Sequence, residues 1–195
     1  MVILNIGLLG FSDKRHIVYT LMRVLSGLGR TVFFTQNKQY LMLSEEHLSD
    51  FEINDIHVVI FNCDIEDLED EYDIDSYEYI IYDVFDELPL KLDVAVLLDS
   101  HDFYAFNLED LDLDDIPVFT ACSVEKIELL PQEKLIKIPQ ASAVEDILQL
   151  MFQKRELVPI KRGKFLKEMT TIISTITGLS SSYINQQLKK GVLKA

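Results

Sequence analysis

The residues best placed to do chemistry lie where the first apolar run of the chain stops: Gly10, then Phe11, Ser12, Asp13, Lys14, Arg15 and His16, leading into a helical pattern. α/β proteins hold phosphate where a strand feeds a helix N-terminus, because the backbone N–H groups there have no partner within the helix. In such a loop Lys14 and Arg15 would meet phosphate oxygens. Asp13 works against that use, since it lacks glycine's backbone freedom and brings its own anion to the place where N–H groups should face one. His101, between Ser100 and Asp102, follows a later apolar run and is the candidate for acid–base work, although no nucleophile motif accompanies it. His16, His47 and His57 carry no metal-ligand spacing. Asp110, Asp112 and Asp114 begin like a calcium loop, but Asp115 stands where glycine is needed and Ala121 where a bidentate glutamate is needed. Cys63 and Cys122 are far apart and outside any CxxC spacing, so they read as buried small hydrophobes.

A loop of this kind needs a rigid frame. Runs rich in Val, Ile, Phe and Tyr recur at 2–9, 31–35, 57–62, 77–83, 93–99, 117–121 and 135–138. Their apolar character is continuous, as in strands covered by helices on both faces, and this predicts a parallel sheet. Between the first two runs, Ile17, Leu21, Val24, Leu25 and Leu28 keep helical spacing over 14–28, and Gly29 follows as a stop signal. A second helix is predicted over 142–154, with Ile147, Leu148, Leu150, Met151 and Phe152 forming a broad apolar face. The acidic stretches 64–75 and 109–115 read as solvated loops or short helices. The expected class is α/β: a doubly wound, mostly parallel sheet flanked by helices, with a C-terminal basic helical extension. A chain of 195 residues that is 48% hydrophobic and 26% charged is globular and not disordered.

The net charge of −15 is unevenly spread. Residues 1–153 hold nine Lys/Arg against 31 Asp/Glu, a net of −22, whereas 154–195 hold nine against two, a net of +7. Val158, Pro159 and a turn at 161–163 mark the boundary between an acidic α/β domain, 1–153, and a basic extension, 154–195. Within the extension Phe165, Met169, Ile172, Ile173 and Ile176 form an apolar stripe, with Lys161, Arg162, Lys164 and Lys167 at its start. Gly178 interrupts the pattern. Ser180, Ser181 and Ser182 can cap a second helix that carries Tyr183, Ile184 and Leu188 and ends at Lys189 and Lys190. Three uses fit this arrangement: packing that closes the domain, a surface for a partner protein or an anionic membrane, and binding of nucleic acid. The six basic residues from Lys161 to Lys190 are the expected partner contacts for the last two. No apolar run approaches the ~20 residues that span a bilayer, and 2–11 lacks the positive flank of a signal peptide. A cytoplasmic protein is expected, peripheral to the membrane if the tail holds it there.

The helix over 14–28 with Leu28, Gly29, Arg30, Thr31, Val32, Phe33 and Phe34, and the run from Tyr77, Glu78 and Tyr79 through Ile80, Ile81, Tyr82 and Asp83 with a further strand at 92–98, resemble the deviant Walker ATPases of the ParA/MinD family. The resemblance spans residues 1–153. The family's loop KGGVGKTT aligns with 9–16, where Gly10 and Lys14 match. Its signature lysine falls on Leu9, the glycine before the second lysine on Asp13, and its magnesium-binding threonine on Arg15. Asp83 matches the Walker B acid, while Thr35 and Asn37 stand where the family has acidic residues that position water and metal. The resemblance implies an ancestral ATP-driven homodimer that positions plasmids, division regulators, or pilus and secretion machines. With the loop so altered, the expectation is a pseudo-ATPase with no cofactor, acting as a positioning or assembly adaptor through protein contacts, as a homodimer. One alternative is a weak ATP and magnesium switch that uses Gly10, Lys14 and Asp83. Another is a DNA-associated regulator whose helix-turn-helix-like tail reads nucleic acid.

Overall fold

Consecutive residues of a strand point to opposite faces of its sheet, so a run without polar breaks needs cover on both sides. The computed structural model, which describes residues 4–89, 91–98, 116–120, 133–135, 138–161 and 163–190, supplies that cover. Its strands are β1 Leu4–Leu9, β2 Thr31–Thr35, β3 Asp50–Ile53, β4 Ile56–Ile60, β5 Tyr79–Val84, β6 Val94–Leu97, β7 Val118–Thr120 and β8 Glu133–Leu135. They form one sheet in the order β3-β4-β2-β5-β1-β6-β7-β8, in which only β3, at the edge, runs antiparallel. The helices are α1 Arg15–Leu25, α2 Ile65–Glu71, α3 Glu145–Lys154, α4 Gly163–Thr177 and α5 Ser181–Lys189. The class is the α/β fold that the uninterrupted apolar runs predict. Among the described residues no helix is long and apolar enough to cross a membrane.

Alternate strand residues divide between two cores. Ile6, Leu8, Phe33, Ile81, Val96 and Phe119 face one side, where they join apolar residues of α1, α3, α4 and α5. Leu9, Phe34, Ile80, Tyr82, Ala95 and Val118 face the other, where Ile65 and Leu68 of α2 lie. The stripe of the basic extension is buried in the first core, Met169 and Ile173 completely. Polar anchors fix it there. Buried Arg23 of α1 donates from Nε to the Leu188 carbonyl (3.3 Å) and from its terminal nitrogens to the carbonyls of Leu157 and Lys190. Tyr19 donates to the Val158 carbonyl, and Ile160 N–H to that of Leu188 at 2.8 Å. Ser180 caps α5 as its sequence position suggests, accepting from Tyr183 N–H at 3.4 Å, and Gly178 takes the positive φ of 69° that ends α4.

Several expectations need correction for local reasons. The run at 57–62 becomes a strand only over Ile56–Ile60, and Cys63 sits in the turn beyond it, exposed and not buried. β3 was not expected. It arises because Asn54 and Asp55, with φ of 49° and 65°, make a two-residue reversal that pairs Ile53 with Ile56. Leu150 of α3 is exposed, since only Leu148 and Met151 of that helix are fully buried in the core. The last strand begins at Glu133, ahead of the expected 135. His101 with Ser100 and Asp102, Cys122, and the Asp110, Asp112 and Asp114 stretch lie outside the described residues.

Candidate functional site

β1 lies where the strand order reverses, with β5 on one side and β6 on the other. The crevice at the carboxyl end of such a junction is where open α/β sheets bind ligands. The connection from Gly10 to Lys14 occupies that crevice. Gly10 has a φ of 95°, a conformation that favours glycine, and its N–H donates to the Val84 carbonyl at 3.0 Å. The chain thereby turns back over the end of β5. A cavity of about 410 Å³ opens beside the turn, lined by Phe11, Asp13, Lys14, Arg15, Asn37 and Asp83 among others.

Lys14 and Asp83, expected from sequence as separate remnants of a nucleotide site, meet each other. The Lys14 ammonium is 4% exposed and lies 2.9 Å from Oδ1 of Asp83, itself 2% exposed. It also donates to the carbonyls of Leu8 (3.2 Å), Val84 (3.0 Å) and Gly10. Three N–H groups thus face four oxygens, so the lysine has no donor left for a phosphate in this conformation. The other oxygen of Asp83 accepts from the Thr35 hydroxyl at 2.9 Å, and that hydroxyl in turn accepts from Asn37 N–H at 3.0 Å. Thr35 and Asn37 therefore serve the buried pair. Asn37 also caps the short 3-10 helix Lys38–Leu43 by accepting from Gln39 N–H.

The start of α1 is closed just as thoroughly. Oδ1 of Asp13 accepts from Arg15 N–H at 3.2 Å, so the protein's own carboxylate takes the position at the helix N-terminus that an anionic ligand would use. The Arg15 guanidinium grips both Asp13 oxygens (2.9 and 2.7 Å) and bridges to Glu145 of α3 at 3.0 Å. Hydrogen bonding from Arg15 holds the Asp13 carboxyl below the usual carboxylate range. Lys14 is the residue before the helix and points to the carboxyl ends of β1 and β5, and Arg15 is neutralised by two carboxylates. In the first turn behind them, burial pushes His16 down to about 4.

Two groups escaped sequence reasoning. Phe11 and Phe85 stack at 5.2 Å with 8° between their planes, and the Lys14 ammonium lies 5.5 Å from the Phe85 ring centre. Phe11 is 65% exposed, so an aromatic pair stands at the mouth of the crevice. The signal available was Phe11 in a position where phosphate loops have glycine. At the opposite end of the strands, His57 bridges Asp50 (Nε2 to Oδ1, 2.8 Å) and the Tyr77 hydroxyl (Nδ1 to Oη, 2.6 Å), while Tyr72 donates to the second Asp50 oxygen at 2.8 Å. Burial pushes the Tyr77 hydroxyl up, the reverse of what a nucleophile needs. This network ties the edge hairpin to α2 and β5. Of the expected partner contacts, Lys161, Lys164, Lys167, Lys189 and Lys190 are exposed, and Arg162 lies outside the described residues. No protein-family model matches the chain, and no curated protein matches it at a significant level.

Proposed function

We propose that this protein is a nucleotide-free adaptor built on a ParA/MinD-like frame, a pseudo-ATPase that helps position or assemble a larger machine through protein contacts. The observation that carries this reading is the buried Lys14–Asp83 pair, which consumes the loop lysine and the strand-end acid that nucleotide chemistry would use. Opening it to admit a triphosphate would expose two mutually neutralised charges in a site made for neither alone, a step that costs several kcal/mol in buried pairs. Asp13 adds an anion at the helix N-terminus, against the charge of the incoming phosphates. Exposed Phe11, stacked on half-buried Phe85, gives the same crevice an aromatic lip, the kind of feature that anchors protein partners.

The test is thermal unfolding with and without millimolar ATP or ADP and magnesium, since any ligand that binds only the folded state raises the midpoint. An unchanged midpoint is the expected result. A rise that disappears in Lys14→Ala, after allowance for that variant's own loss of stability, would overturn the reading in favour of a weak nucleotide switch.

A further inference from the structure

Among the described residues, the basic extension and the acidic α2 segment lie on opposite faces of the sheet and do not pair within one molecule. α4 and α5 join the core on one face of the sheet, and α2 joins the core on the other. On the first face a groove of about 550 Å³ runs between α4 and α5, with Lys161, Lys167 and Lys189 among its lining residues and, among the described residues, no carboxylate in its wall. Lys164 and Lys190 are exposed on the same two-helix unit. The polar neighbours in the groove are occupied as donors: Thr170 donates to the Leu166 carbonyl, Thr171 to that of Lys167, and Asn185 to that of Ser181. The lysines are therefore its free cations. On the second face, α2 and the turn after it expose Glu66, Asp67, Asp70, Glu71, Asp73 and Asp75. Among the described residues, no ion pair is formed by these six carboxylates or by the five lysines.

From this opposition we infer that the α4–α5 groove receives a second copy of the same chain, through the acidic ridge of its α2. Ridge and groove are different patches, so the contact is heterologous and leaves a free groove at one end and a free ridge at the other. Successive copies then join head to tail. The opposite sign of the two patches favours this occupant, because the α2 ridge is a short, discrete patch that can meet the groove alone, whereas duplex DNA or an anionic bilayer would carry its charge on past the groove and along the −22 body that binds it. Two copies of net charge −15 repel at a distance, but at physiological salt the Debye length is about 8 Å, and the facing patches decide the interaction at contact. The association is weak and salt-sensitive, as surface ion pairs are.

The measurement is sedimentation equilibrium of the full chain, without nucleotide, over a wide concentration range at about 0.15 M and about 1 M salt. At the lower salt the average mass should rise with concentration beyond a dimer; at the higher it should stay monomeric. The variant Lys161→Glu/Lys167→Glu/Lys189→Glu and the variant Asp70→Lys/Glu71→Lys/Asp73→Lys should each fail to associate alone, and an equimolar mixture of the two should associate again. Wild-type protein that is monomeric at every concentration overturns the inference, as does a mixture that stays monomeric while both variants melt like wild type. Lysine-dependent binding to anionic vesicles or duplex DNA with no self-association also overturns it, in favour of a polyanion. None of these outcomes depends on whether nucleotide binds, so this contact and the adaptor reading fail separately.

Discussion

Two residues carry most of the energetic tension in the crevice, and each can be tested alone. Lys14→Met leaves Asp83 as an uncompensated buried carboxylate and should destabilise the protein by about 3–5 kcal/mol in urea unfolding. Adding Asp83→Leu should cost less than the sum of the single changes, because the orphaned charge is removed along with its partner. Additive losses would mean that the two side chains are not coupled. His16 supplies a pH dependence. Its folded-state value of about 4 lies below the ordinary 6.5, so the unfolded chain binds the proton first as the pH falls. Stability from this group is therefore fully present above pH 6.5 and lost progressively between about 6.5 and 4, by an amount on the order of 3 kcal/mol. His16→Phe should flatten the stability profile across that window, and an unchanged slope would locate the dependence in other groups.

At the scale of elements, the edge hairpin shows how a short turn recruits a strand. Asn54 and Asp55 both take positive φ, and the Asn54 side chain also accepts from Leu157 N–H at 2.7 Å, which ties the turn to the segment leading into the tail. Asp55 has no such duty and bears the steric cost of a left-handed backbone. Asp55→Gly should therefore stabilise the protein by roughly 0.5–1 kcal/mol, measured as a shift in the urea midpoint with unchanged slope. A loss of stability would show that the aspartate makes a contribution beyond the turn. The network of Asp50, His57, Tyr72 and Tyr77 belongs to this scale too, since it joins β3 and β4 to the connection that runs from the end of α2 to β5.

For the whole molecule, the decisive fact is that the basic extension is part of the main core. Eight of its apolar side chains, from Phe165 to Leu188, are buried there. Each is worth roughly 1.5–3 kcal/mol of burial, and together they rival the entire net stability of a domain, about 5–15 kcal/mol. Deleting 161–195 should consequently produce a chain that aggregates or exposes apolar surface, read as strong binding of a hydrophobic dye and loss of a cooperative melt. A truncated body that melts cooperatively near the full chain's midpoint would refute this. The tail is charged outside and apolar inside, so its lysines remain available to a partner while its stripe holds the fold together.

The α/β class, the strand runs, the first helix and the apolar stripe of the tail, though not its burial, were legible in the sequence because they rest on periodicity: a strand covered on both faces must be apolar throughout, and a helix against a core must repeat its apolar residues every three or four positions. The candidate loop was legible too, since Gly10 and Lys14 stand at a strand-to-helix junction. What those residues do there was not. Lys14 and Asp83 are 69 positions apart, and only the placement of β5 beside β1 brings them to 2.9 Å, turning two remnants of a ligand site into one buried pair. The stacking of Phe11 on Phe85, the grip of Arg23 on the tail, and the separation of acidic ridge and basic groove onto opposite faces have the same origin. Local pattern determines which elements form, because sterics and burial act along a few residues. Which side chains meet is decided by the order in which strands join the sheet, a long-range outcome that no local spacing encodes.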